Sequence, residues 1–184
     1  MYSLDIFIQN YFSLIRTPLL TEFMYLVSNM FDLSLEFVLV SIFITLLVYL
    51  VRSLRHAILF VFSLFATTVV VYFLKIYFDV SRPSDSVVFA LGQSFPSYHA
   101  TISTVFFLIL IYIFSTYPRK LVRIIFITFS IGMIILVAFS RVYLGAHWFS
   151  DVVSGVILGG VISYVLIYIF NSRKNMHTTS SMIK

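Results

Sequence analysis

At 184 residues, with 61% hydrophobic and only 10% charged side chains, the chain has the length of one domain but is too apolar for an ordinary water-soluble one. The absence of cysteine excludes disulfides, thiolate catalysis and thiolate metal sites. The net charge of +5 comes from basic residues spread over short loops, which argues against a nucleic-acid partner and leaves the lipid bilayer as the expected environment.

The first 32 residues contain two short amphipathic stretches. Residues 1–15 place apolar side chains at helical spacing, and no basic residue precedes Arg16, so the positive start of a cleavable signal peptide is missing and we expect this segment to be retained. Residues 19–31 are shorter than the roughly 20 residues that cross a bilayer core. We therefore predict two interfacial helices within residues 1–32.

Long apolar runs follow and predict membrane-spanning helices, and residues 171–184 form a polar tail. The predicted fold class is all-α, a polytopic membrane helix bundle with about five transmembrane helices plus the N-terminal interfacial helices. Residues 33–170 would form the membrane domain. The predicted spans are residues 33–51, 57–78, 97–115, 121–139 and 148–170.

The basic residues are distributed unequally between the two sides of these spans. Eight of the twelve lysines and arginines fall in the loops at 52–56 and 116–124 and in the tail, while the other four and all seven acidic residues fall on the opposite side. By the positive-inside rule the eight face the cytoplasm. We therefore expect a multi-pass protein of the cell membrane, with a cytoplasmic tail and with its polar motifs on the extracytoplasmic side.

The second span ends in a basic cluster, in which Lys75 is followed after six residues by Arg82-Pro83. Proline disfavours helical geometry in the residue before it, so the helix should end nearby and turn the Arg82 guanidinium back toward Lys75. Taken singly, Lys75 fits a snorkelling lysine and Arg82 a solvated loop residue. Together they predict a clamp for an oxyanion, while Asp79 and Asp85 fit solvated loop acids.

The third span begins with Pro96-Ser97-Tyr98-His99. Proline favours the first turn of a helix, and the first backbone N–H groups of a helix lack internal partners, which makes this end an anion site. Ser97 would add its hydroxyl to a phosphate oxygen, and His99 would donate a proton. The alternative is that Ser97 only caps the helix and that His99 is an interfacial aromatic residue.

The start of the fifth span carries the third cluster, Ser140-Arg141 followed by His147 and Asp151. If this stretch is helical, His147 and Asp151 share one face, so the carboxylate can accept a hydrogen bond from one ring nitrogen and leave the other free to attack. Arg141 indicates an anionic electrophile, for which phosphate fits best. The alternative is a helix cap with a simple ion pair.

In chain order the clusters read Lys-x6-Arg-Pro, Pro-Ser-x-His and Ser-Arg-x5-His-x3-Asp. All ten specified positions match the motifs of the type 2 phosphatidic acid phosphatase family, which also includes vanadium haloperoxidases and which this chain resembles over roughly residues 57–170. One departure is Tyr98, where many members resemble Pro-Ser-Gly-His. Its side chain would narrow the site but leave a backbone N–H contact.

The resemblance implies a role for each matched residue. His147 resembles the nucleophile that forms a phosphohistidine, Asp151 the residue that orients its ring, and His99 the general acid. No metal-ligand set or cofactor is implied, because cations and a helix N-terminus supply the charge that phosphoryl transfer needs. The residues that resemble substrate-binding groups are Lys75, Arg82, Ser97, Tyr98 and Arg141.

The function implied by the resemblance is an integral membrane lipid phosphatase. Its phosphorylated lipid substrate would be undecaprenyl diphosphate or phosphatidylglycerophosphate, with a broad-specificity phosphatidic acid or isoprenoid phosphate phosphatase, or one acting on lipid A phosphates, as further alternatives. A lipid-linked phosphotransferase, in which a hydroxyl compound replaces water, is the second enzyme class. Attachment to lipid-embedded helices argues against a haloperoxidase, and intact His147, Asp151 and His99 argue against a non-enzymatic scaffold.

Three glycines in the fifth span, Gly155, Gly159 and Gly160, form a small-xxx-small step. Such a step lets a neighbouring helix approach closely. It serves either packing within the chain, which we favour, or a homodimer interface. Neither use involves the predicted site.

Overall fold

The computed structural model describes residues 2–89 and 92–181, and its secondary structure over those residues is helical. The all-α prediction is confirmed, with two short N-terminal helices followed by five apolar ones. Residues 182–184 of the predicted tail, including Lys184, lie outside the described residues. The helices are α1 (Tyr2–Ile15), α2 (Pro18–Asn29), α3 (Leu35–Val51), α4 (Leu54–Phe78), α5 (Tyr98–Phe114), α6 (Lys120–Tyr143) and α7 (Phe149–Ser181).

Among these helices, α4, α6 and the Phe149–Ser172 part of α7 are long and apolar enough to cross a membrane. Helices α3 and α5 are apolar but have 17 residues each, about 25 Å at 1.5 Å per residue, which is the lower limit for a span. Helix α6 runs past the predicted residue 139 to Tyr143, so Arg141 lies in its last turn. Helix α7 begins at Phe149, so His147 precedes the helix instead of belonging to it.

Helix α5 lies at the centre of the bundle and packs against α4, α6 and α7. Ile102, Val105 and Ile109 on this helix are fully buried. Lipid tails are as apolar as these side chains, so burial alone associates spans weakly and close backbone contact matters more.

Two of the three glycines provide that close contact between α7 and α5. A Cβ on Gly155 would lie 2.8 Å from the Ser97 carbonyl oxygen, and one on Gly159 would lie 2.7 Å from the Thr104 Cβ. Gly160 faces open space. This geometry supports the interpretation of the step as packing within the chain, and it removes Gly155 and Gly159 from any dimer surface.

The N-terminal helices pack on the outside of the bundle, α1 against α6 and α7 and α2 against α6. Their link carries Arg16, which donates from Nε to the Tyr143 carbonyl and from Nη1 to the Asp85 carbonyl, at 2.9 and 2.8 Å. Gly145 beneath it has a φ of +71°, and a Cβ there would lie 2.7 Å from Arg16 Nη2. These contacts tie the N-terminal segment to the end of the bundle where α4 and α6 finish.

The opposite end of the bundle is held by arginines of the α3–α4 turn. Arg55 donates to the Phe170 carbonyl at 3.0 Å and stacks its guanidinium over the Phe170 ring at 4.6 Å. Arg52 donates to the Ile113 carbonyl and to the Thr116 hydroxyl. The turn between α3 and α4 is thereby fixed to the end of α5 and to Phe170 of α7.

Candidate active site

A cavity of about 740 Å3 opens at the end of the bundle where α4 and α6 finish and α5 begins. Six of the eight predicted site residues line it: Lys75, Arg82, Tyr98, His99, Arg141 and His147. The other two, Ser97 and Asp151, are buried. The three sequence clusters therefore meet in space, as their order along the predicted spans implied.

His147 and Asp151 form the innermost part of this site, each with 1% of its surface exposed. His147 Nδ1 lies 3.6 Å from Asp151 Oδ2, longer than an ordinary hydrogen bond. Ser94 stands beside both, with its Oγ 3.3 Å from Nδ1 and donating to Oδ2. Asp151 Oδ2 also accepts the Trp148 backbone N–H at 2.9 Å. The direct ring-to-carboxylate hydrogen bond expected from the sequence is therefore replaced by one that runs through Ser94.

Ser94 was missed by the sequence analysis. It lies two residues before Pro96 in the long loop after α4, and nothing in a serine of a polar loop marks it as a partner of residues more than fifty positions away.

Lys75 and Arg82 converge as the sequence predicted. Both donate to the Gln93 carbonyl oxygen, Lys75 from Nζ at 2.6 Å and Arg82 from Nη2 at 3.2 Å. Arg82 Nη1 donates to the Ala146 carbonyl at 2.6 Å and lies 3.2 Å from His147 Nε2. Two carbonyl groups thus aim the clamp at the nucleophile candidate, and the ring nitrogen facing Arg82 is Nε2.

Burial and the neighbouring cations keep the His147 ring neutral. Burial lowers the pKa of His147 well below its usual value of 6.5, and the nearby cations Arg141, Arg82 and Lys75 lower it further because they repel an imidazolium. A neutral ring with Nδ1 toward Ser94 and Asp151 leaves the Nε2 lone pair directed at the Arg82 side of the cavity.

Two of the predicted phosphate ligands each have a buried polar atom that makes no hydrogen bond to a described residue. The Ser97 hydroxyl is fully buried and makes no capping bond, and neither it nor Arg141 Nε has a hydrogen-bond partner among the residues the structure describes. Arg141 donates from Nη1 to the Ser28 hydroxyl. A cap-only role for Ser97 is therefore wrong, and unpaired buried polar groups of this kind are costly unless a ligand satisfies them.

His99 has a partner that the sequence analysis did not predict. Its Nε2 lies 2.6 Å from Oδ1 of Asp32, a residue of the short loop between α2 and α3. Burial alone would raise the pKa of Asp32, but the hydrogen bond with His99 and the charges of His99 and Arg141 outweigh it and lower that pKa. Tyr98 turns its hydroxyl toward the Thr68 hydroxyl, at 3.4 Å.

The two loop acids near the clamp differ. Asp79 is exposed and accepts a hydrogen bond from the Gln93 side chain at 3.0 Å. Asp85 is not a solvated acid as predicted, since it pairs with Arg16 at 3.1 Å and accepts from Gln9 at 2.8 Å. Within residues 2–89 and 92–181, no group of three or more histidine, cysteine, aspartate or glutamate side chains is arranged to hold a metal ion.

The fold is similar to the crystal structure of the first transmembrane PAP2 type phosphatidylglycerolphosphate phosphatase from Bacillus subtilis, with a TM-score of 0.84 and 23% identity over 93% of this chain and 86% of that one. It is also similar to the crystal structure of Aquifex aeolicus LpxE, with a TM-score of 0.70 and 21% identity over 91% of this chain and 94% of that one. Among curated proteins, none matches the sequence.

The structure thus defines an all-helical membrane protein that shares its fold with a transmembrane PAP2 type phosphatase. The sequence profile of the PAP2 superfamily matches residues 56–175, which is well over half of the chain. The protein belongs to the PAP2 superfamily. The family resemblance expected from the three motifs is confirmed, and the matched region contains every predicted site residue.

Proposed function

We propose that the protein hydrolyses a lipid phosphate or diphosphate through a phosphohistidine formed on His147. The observation that carries this proposal is the neutral, buried His147 ring, whose Nε2 lies 3.2 Å from Arg82 Nη1 inside a cavity that also presents Lys75 and Arg141. A lone pair beside three cations is suited to attack the phosphorus of an anionic phosphate.

In the first step Nε2 attacks phosphorus and the bond between phosphorus and the leaving oxygen breaks. His99 gives its proton to that oxygen, so a lipid alcohol leaves from a monophosphate and a lipid monophosphate leaves from a diphosphate. In the second step water attacks the phosphohistidine, its proton passes to His99, and the P–N bond breaks to release inorganic phosphate. Lys75, Arg82, Arg141 and the Ser97 hydroxyl hold the phosphoryl oxygens through both steps.

Two lipids lead as substrates, phosphatidylglycerophosphate and undecaprenyl diphosphate. The name of the similar Bacillus subtilis protein supports the first. The cavity volume of about 740 Å3 lies in the usual range for ligand sites, and in this proposal the cavity binds the phosphorylated head group while the lipid tail stays in the bilayer.

We also propose that the protein lies in the cell membrane with its cavity on the extracytoplasmic side. Four of the twelve lysines and arginines, Arg16, Lys75, Arg82 and Arg141, lie toward the cavity end of the bundle, whereas the sequence puts the other eight in the loops at 52–56 and 116–124 and in the tail. This asymmetry satisfies the positive-inside rule. The orientation is tested by placing single cysteines at residues 86 and 118 and labelling intact cells with a thiol reagent that does not cross the membrane.

The function is tested by phosphate release from the purified protein in detergent, with EDTA present throughout. Phosphatidylglycerophosphate, undecaprenyl diphosphate and phosphatidic acid are compared, and orthovanadate, which matches the trigonal transition state, should inhibit. One preferred lipid assigns the substrate, and comparable rates on all three assign a broad phosphatase. Consumption of lipid phosphate that requires an added alcohol and releases little free phosphate would assign a transferase instead.

A further inference from the structure

The carboxylate of Asp32 faces His99, the predicted general acid. In the sequence, Asp32 lies outside the region that the family profile matches. Asp32 lies in the loop between α2 and α3, whereas the match to the PAP2 superfamily begins at residue 56. Its Oδ1 is 2.6 Å from His99 Nε2, and both side chains line the cavity. This hydrogen bond is the shortest contact that His99 makes with an acidic side chain in the described residues.

The backbone around Asp32 is held in place by its neighbours. Phe31 is 3% exposed and packs its ring against Phe106 and Phe107, at centroid distances of 5.5 and 5.8 Å. The Asp32 backbone N–H donates to the Asn29 carbonyl, and its carbonyl accepts from the Ser34 N–H at 2.7 Å. Aromatic packing on α5 therefore sets where the neighbouring carboxylate can reach, and α5 also carries His99.

The carboxylate is charged and open to the cavity. The side chain of Asp32 is 46% exposed, against 9% for His99, and the pKa of Asp32 lies below its usual value because of the His99 bond and the nearby Arg141. Asp32 is thus an anion at neutral pH, and it accepts a proton held on His99 Nε2.

We infer that Asp32 is a positioning residue for His99: it accepts the Nε2 proton, which fixes the ring orientation and stabilises the protonated ring, so that the proton on Nδ1 is the one given to the leaving oxygen of a bound lipid phosphate. The inference rests on the proposed function. In the first step the Nδ1 proton moves to the leaving oxygen as the bond from phosphorus to that oxygen breaks, and the Nε2 proton stays on the ring, bonded to Asp32. In the second step the negative Asp32 makes the neutral ring a better acceptor for the proton of the attacking water. Asp32 remains a carboxylate throughout.

The test compares two leaving groups, because only a poor one needs a general acid. Values of kcat/KM are measured for dodecyl phosphate, which releases an alkoxide-like oxygen, and for 4-nitrophenyl phosphate, whose leaving group is stable without a proton. For Asp32→Asn we expect a loss of about 10- to 100-fold on the alkyl substrate and less than about threefold on the aryl one. His99→Ala should show the same selectivity with a larger loss.

Glu36→Gln is the matched control, because it removes an exposed carboxylate four residues further along the chain and should leave both substrates unaffected. Equal losses of Asp32→Asn on the two substrates would mean a structural role and overturn the inference, and so would no loss on either. If the unmodified protein releases phosphate from neither substrate nor from the lipids above, the proposed function itself is overturned.

Discussion

The two histidine–aspartate pairs in this cavity are built differently. His147 and Asp151 are each 1% exposed, lie 3.6 Å apart and are linked through Ser94, while the Trp148 backbone N–H fixes the same carboxylate oxygen. His99 and Asp32 are in direct contact at 2.6 Å, and the Asp32 side chain is nearly half exposed. One pair is enclosed by protein and the other opens into the cavity.

The difference matches the two tasks of the proposed reaction. A nucleophile must present one nitrogen in one orientation, and a carboxylate that is already hydrogen-bonded by a hydroxyl and a backbone N–H is a rigid support for it. A general acid must lose and regain a proton each cycle, so a carboxylate in contact with the cavity suits it better. Loss of the enclosed pair should therefore cost more than loss of the open one.

The largest effect is expected for His147→Ala, which removes the attacking atom. We expect kcat to fall by about 10⁴-fold or more, with no phosphorylated protein trapped after a quench in alkaline detergent, in which a phosphohistidine is stable. His56→Ala, a histidine at the opposite end of the bundle, is the control and should keep normal turnover. A His147→Ala protein that still hydrolyses its lipid at a tenth of the normal rate would remove His147 from the nucleophile role.

A smaller loss is expected for Asp151→Asn. The amide keeps the shape of the carboxylate but not its charge, and it supports the Nδ1–H tautomer of His147 less well, so kcat should fall by about 10²- to 10³-fold. Glu22→Gln, at an acid of α2 away from His147, is the matched control. Turnover unchanged in Asp151→Asn would show that Ser94 and the backbone orient the ring without the acid.

The variant Ser94→Ala deletes only the hydroxyl between His147 and Asp151 and so measures its contribution separately from that of the carboxylate. The ring can shift by a few tenths of an ångström to bond the carboxylate directly, so we expect about a 10-fold loss in kcat with KM nearly unchanged. Ser172→Ala, on the same helix as Asp151 but at the far end of the span, serves as the control. A loss as large as that of Asp151→Asn would make the hydroxyl the principal support.

The smallest effect is expected on the stability of the fold when the pH is lowered. His147 should remain neutral as pH falls through 6.5, because burial and the three cations lower its pKa well below that value. The unfolded chain takes up a proton there and the folded one does not, so stability should decline as pH falls below 6.5. Histidine ¹⁵N NMR in detergent, with the His147 signal assigned by its absence in His147→Ala, measures the titration. A midpoint near 6.5 would contradict the buried, cation-flanked environment.

The sequence predicted the helical class, the five apolar helices and the three motifs with their meeting point. The positions of the helix ends were predicted less accurately. Helix α6 continues to Tyr143 and so includes Arg141, whereas α7 starts only at Phe149 and so excludes His147. The length of an apolar run indicates where a helix crosses a membrane. The residue at which the helix ends depends on tertiary contacts, such as those of Arg16 with Tyr143 and Asp85.

The sequence alone predicted local features, namely apolar runs of a given length and predicted site residues separated by short intervals near a helix end or turn. The contacts of Ser94 with His147, of Asp32 with His99 and of Ser28 with Arg141 follow from the packing of the helices and could not be predicted from the sequence. Each of these partners lies more than fifty residues away from the group it supports. A serine or aspartate in a loop has no periodicity to mark it, and its partner is set by how the packed helices bring distant loops together.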